Sequence, residues 1–114
     1  TDFQVSGTVQ ENVGGIIVKA IIKEPGKKPR ITEIENNLTA LQEAVGGYIE
    51  TVTLAKDCCI ICNEEGRLQG LPYNLTFCGV SFVGTILFVG VAGDEFCSLS
   101  ERKTNFLMQC QEVR

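Results

Sequence analysis

The chain has 114 residues, 44% hydrophobic and 21% charged, with 3 prolines and a formal net charge of −4. That is one domain's length, enough to bury well over half of the unfolded surface, and the composition excludes low-complexity disorder. There is no histidine and no tryptophan: without histidine the Ser-His-Asp and Cys-His arrangements are excluded, and the acidic balance argues against direct nucleic-acid binding.

At the start of the chain Phe3, Val5 and Val9 alternate with polar residues, and Asn12-Val13-Gly14-Gly15 precedes the apolar run Ile16 to Ile22. The pattern predicts a hairpin, and Thr1 to Gln10 lack the basic start and apolar centre of a signal peptide. Pro25-Gly26-Lys27-Lys28-Pro29 breaks the chain before a short strand, Arg30 to Ile34. Asn36 or Asn37 caps a helix marked by Leu38, Leu41 and Val45, which Gly46-Gly47 ends in a left-handed conformation. Tyr48 to Leu54 alternates as a strand with one buried face, and Cys58 to Cys62, apolar on both faces, reads as a central strand. Asn63-Glu64-Glu65-Gly66 then predicts a four-residue turn returning through Arg67, Leu68 and Gln69 as a hairpin.

Phe82 to Val91 reads as one more central strand. The apolar stretch around it, Gly79 to Gly93, is shorter than the roughly 18 to 20 residues a membrane span needs and is interrupted by Ser81, Gly84, Thr85 and Gly90. Ser98-Leu99-Ser100-Glu101 matches a capping box opening a closing helix with an apolar stripe of Leu99, Phe106, Leu107, Cys110 and Val113. The expected fold is therefore a single α+β domain over residues 1–114. Its mostly antiparallel sheet has five to six strands, a short inserted helix and a C-terminal helix near residues 99–112 packed on the sheet.

Cys59-Ile60-Ile61-Cys62 has the spacing of a zinc or redox motif. In an extended strand, however, residues three apart point to opposite faces, and nothing else in the sequence completes a ligand set. All six cysteines are expected to be reduced, and no metal or cofactor is expected. The sequons Asn37-Leu38-Thr39 and Asn74-Leu75-Thr76 read as chance. Gly84 and Gly90 follow no phosphate-loop pattern and suggest bulges or close backbone packing.

Charge is unevenly spread. Lys27, Lys28 and Arg30 form a candidate anion-binding turn, while Glu33, Glu35, Glu50, Glu64 and Glu65, with Glu43, form a candidate acidic partner-binding face. Adjacent carboxylates such as Glu64 and Glu65 at a turn read as solvated charges rather than a catalytic pair.

The ordered fragments Lys19 to Pro29, Ile34-Glu35-Asn36, Leu41 to Glu50, Asn63 to Leu68, Gly70 to Asn74 and Val83 to Gly90 resemble a small family of unknown function. That family is encoded by bacterial phages, plasmids and conjugative elements, and the match covers about residues 19–99. The resemblance implies a mobile-element accessory protein of the bacterial cytoplasm and assigns no catalytic residues. Residues 1–18 precede its usual start and read as an added N-terminal strand, and Cys58, Cys59 and Cys62 replace a commonly aliphatic strand.

The resulting expectation is a non-enzymatic binder of a host protein such as a CRISPR or restriction nuclease, acting through its acidic face. The alternative is a module for a nucleotide-like ligand, with Lys27, Lys28 and Arg30 on phosphates and Tyr48 or Tyr73 stacking on a base. Self-association through the N-terminal hairpin edge is a further expectation.

Overall fold

The computed structural model describes residues 16–112. The proposed first strand around Phe3 to Val9, and Val113 of the helical stripe, lie outside them. Ile17–Lys23 (β1) and Arg30–Glu35 (β2) form an antiparallel pair, followed by the helix Leu38–Val45 (α1). Asn37 is the N-cap, its side-chain oxygen accepting from the Ala40 amide at 2.8 Å, and Gly46, at φ 83°, closes the helix in the left-handed region.

Ile49–Ala55 (β3), Cys58–Asn63 (β4) and Ile86–Ala92 (β7) complete a sheet of order β2-β1-β7-β4-β3. Tyr73–Phe77 (β5) and Val80–Val83 (β6) form a separate hairpin. Its two-residue turn has positive φ at Cys78 (52°) and Gly79 (80°), the combination that matches the twist of the flanking strands. Glu95–Cys97 (β8) pairs with the far half of β7, and Glu101–Glu112 (α2) follows. The architecture is α+β with an antiparallel sheet, as the pattern of elements predicted.

β4 and β7 are central because their side chains are apolar on both faces: all six residues of β4 are buried, as are Ile86 to Gly90 of β7. Alternation divides the core in two. Ala20, Cys59, Ile61, Leu87 and Val89 face α1 with Leu41 and Val45, whereas Ile21, Cys58, Ile60, Cys62 and Phe88 face Phe82, Leu99 and Leu107 on the other side. Phe88 is fully buried, with the Phe77 ring edge-on at 5.4 Å, and a large apolar side chain so placed contributes about 1.5–3 kcal/mol.

Four expectations are corrected. Arg67 to Gln69 form no strand: the chain after Asn63 curls into turns, and the strand that later runs antiparallel beside β4 is β7. The predicted strand Phe82 to Val91 is two, broken at Gly84, whose φ of 73° no strand residue adopts. Ser98 does not cap α2. Its hydroxyl accepts from the Lys19 amide at 2.8 Å, and Ser100 caps instead, its Oγ accepting from the Lys103 amide at 3.1 Å. Phe106 lies 59% exposed rather than on the core stripe, which Leu107 anchors with buried Thr104.

The first strand and the turn of the hairpin proposed as a self-association edge lie outside the described residues. β1 has β2 along one side, while β7 and the segment Ser98-Leu99 occupy the other, with the Leu99 amide donating to the Lys19 carbonyl. Among the described residues, β2 and β3 end the ordering of the main sheet.

Candidate functional site

Two buried asparagines organise one end of the sheet. β4 finishes at Asn63, whose Nδ2 donates to the Val45 carbonyl at the end of α1 and to Gln69 Oε1, both at 3.2 Å. Its Oδ1 accepts from the Glu65 amide at 2.8 Å. This pulls the chain into consecutive turns, continued by the Gln69 amide on the Glu65 carbonyl and the Leu71 amide on the Gly66 carbonyl. Asn74 does the same work across the sheet. Its Nδ2 donates to the carbonyls of Lys23 (2.8 Å) and Gly84 (2.6 Å), and its Oδ1 accepts from Lys23 Nζ at 3.0 Å. Burial pushes the Lys23 ammonium below the ordinary lysine range.

Between β3, the end of β4, the 64–68 turn and β6 lies a groove of about 300 Å³. Val52, Cys62 and Phe82 supply apolar lining, Glu50, Glu64 and Glu65 its negative charge, and Arg67 one positive charge. Arg67 pins the turn to β6, its Nη2 donating to the Ser81 carbonyl at 2.7 Å. Among the described residues none of the three carboxylates has an ion-pair partner. The volume sits at the lower end of small-molecule pockets, and the groove is open.

The five glutamates of the predicted acidic face are thus divided. Glu50, Glu64 and Glu65 meet at this groove, whereas Glu33 and Glu35 lie on β2, four strand spacings from β3, about 19 Å at the usual spacing. Glu35 accepts from Asn37 Nδ2 at 3.1 Å, and Glu43 is exposed on α1.

The predicted anion-binding turn is partly self-neutralised. Glu24 accepts from Arg30 at 2.8 Å and has Lys27 at 3.7 Å, and the hydrogen bond from Arg30 holds its carboxyl below the ordinary range. Lys28 is exposed, as are Tyr48 (65%) and Tyr73 (60%), and the Tyr73 hydroxyl is hydrogen-bonded to Thr76 Oγ1 at 2.9 Å.

β4 is unbroken, so Cys59 and Cys62 point into opposite halves of the core, as strand alternation requires. Burial pushes the Cys59 thiol up to about 12 and that of Cys62 to about 11, which leaves both protonated and poorly nucleophilic at neutral pH. Both sequon asparagines are buried and hydrogen-bonded. Asn63 and Asn74 are the residues that sequence reasoning missed. A polar amide at the junction of an apolar strand and a turn was the available signal, and in Asn74 the sequon reading obscured it.

This fold and groove define a small α+β protein with a preformed, acidic surface cleft. The family model of a domain of unknown function, DUF3846, matches residues 18–111, and the chain belongs to that family. No curated protein and no solved structure matches it.

Proposed function

We propose that the protein is a non-enzymatic binding module whose acidic groove receives a basic segment of a protein partner. The observation that carries this reading is the convergence of Glu50, Glu64 and Glu65 on one cleft with an apolar lining. A lysine or arginine side chain suits such a cleft, its aliphatic stem lying on Val52 and Phe82 and its charged head at the carboxylates. Unpaired carboxylates also speed the encounter with a basic surface.

The partner class we infer is the basic nucleic-acid groove of a host defence nuclease, with this protein acting as an inhibitor encoded by a phage or other mobile element in the bacterial cytoplasm. Immobilised protein exposed to bacterial lysate tests this. A captured nuclease is expected to be retained at about 50 mM salt and released at about 500 mM, as screening of surface charge requires. The combined Glu50→Gln, Glu64→Gln and Glu65→Gln variant is expected to capture none. Capture that ignores those three substitutions would overturn the reading.

A further inference from the structure

β1 and β4 are each antiparallel to β7, which lies between them, so both run toward the same end of the sheet. The basic turn with Lys27, Lys28 and Arg30 and the acidic groove with Glu64 and Glu65 therefore stand side by side, β1 and β4 being two strand spacings apart, about 10 Å. Pro25, Leu71 and Pro72 help to line a shallow groove of about 270 Å³ at this end. On the acidic side Tyr48 and Leu68 expose large apolar side chains, 65% and 87% accessible.

A surface that is basic on one half and acidic on the other is complementary to its own copy turned about a two-fold axis. Three cations against the single carboxylate of Glu24 leave the turn positive, and the carboxylates opposite lack ion-pair partners among the described residues. We infer that this end of the sheet is a self-association surface. Two copies meet head to head, the basic turn of each lying against the acidic groove of the other and covering Tyr48 and Leu68. The inference extends the proposed function, because the second copy then competes with any partner for the same groove.

The molecule measures 36 × 34 × 21 Å, and a contact confined to two turns and a groove covers only part of a face, less than the roughly 800 Å² per partner of a standard interface. Charge dominates what it does offer. The association is therefore weak and salt-sensitive, in the range of roughly 10 to 100 μM.

Sedimentation of the full chain up to about 500 μM tests it, since that concentration exceeds the expected dissociation constant several-fold. The expected result is a monomer–dimer equilibrium at low salt that shifts to monomer as salt rises. Lys27→Glu with Lys28→Glu, and separately Glu64→Lys with Glu65→Lys, are each expected to be monomeric alone and to form a heterodimer when mixed. All four positions are exposed, and unchanged melting curves verify that the variants fold. A wild type that stays monomeric, a reversed variant that dimerises like wild type, or a mixture that recovers no dimer would overturn the inference. The Lys27/Lys28 reversal separates it from the proposed function, because it removes the dimer while leaving partner capture intact.

Discussion

At the basic corner of the sheet end, the β1–β2 turn is tied by its own charges, with Arg30 and Lys27 both resting on Glu24. At the acidic corner the turn after β4 is tied by a neutral amide, Asn63, which reaches two carbonyl-type oxygens and one backbone amide. Glu64 and Glu65 are thus spared from holding the loop. A charge is available to a partner when the scaffold beneath it is neutral, and this is why the acidic corner carries the proposed site.

The largest expected effect undermines the acidic corner through its strand. Burial raises the Cys59 and Cys62 thiols from 9.0 to about 12 and about 11, so above pH 9 the unfolded chain releases protons that the folded chain retains. The unfolded state then binds fewer protons, and stability falls as pH rises by about 1.4 kcal/mol per pH unit for each thiol, until each folded-state pKa is reached. Denaturant titrations from pH 8 to about 11 measure the slope, which is expected to shrink in the Cys59→Ala, Cys62→Ala double variant. An identical slope in that variant would show that the thiols do not cause it.

Asn63→Ala comes next, at about 2–4 kcal/mol, because it strands the Val45 carbonyl and the Glu65 amide. Faster hydrogen exchange at the Glu65 amide, with the β1–β2 turn unchanged, would sharpen the contrast between the corners. Gly84→Ala is expected to cost about 1–3 kcal/mol, since φ is 73° and a Cβ would stand 2.7 Å from Leu71 Cδ1. A shift in melting temperature reads it. Smallest is Glu24→Gln, which removes the half-buried acceptor of two exposed cations and is expected to leave the melting temperature unchanged. If it disordered the basic turn, the charges there would be structural after all.

Much of the fold was legible where one residue decides one element. Asn37 and Gly46 bound α1, and the all-apolar run Cys58 to Cys62 is a central strand. The misses share a cause, which is competition between a local signal and a partner distant in sequence. Ser98 has the chemistry of a cap but is used by the Lys19 amide, and Arg67 to Gln69 could extend but are curled by the Asn63 side chain. Gly84 reads as a strand residue until Asn74, the Pro72 carbonyl and Leu71 are placed against it. Of the candidate site, residue type was legible and grouping was not: Glu33 and Glu50 look alike in sequence and stand on opposite edges.

The tip of the β5–β6 hairpin has a practical use. Cys78 is exposed there, while Cys58, Cys59 and Cys62 are buried and Cys97 and Cys110 are partly covered. Val80, two residues away, lines the groove at the end remote from the Asn63 turn. A maleimide fluorophore placed on that thiol would therefore sit beside the cleft without covering Glu64 or Glu65. The native sequence thus carries its own reporter position, from which occupancy of the groove by a partner or by a second copy can be followed as a change in emission.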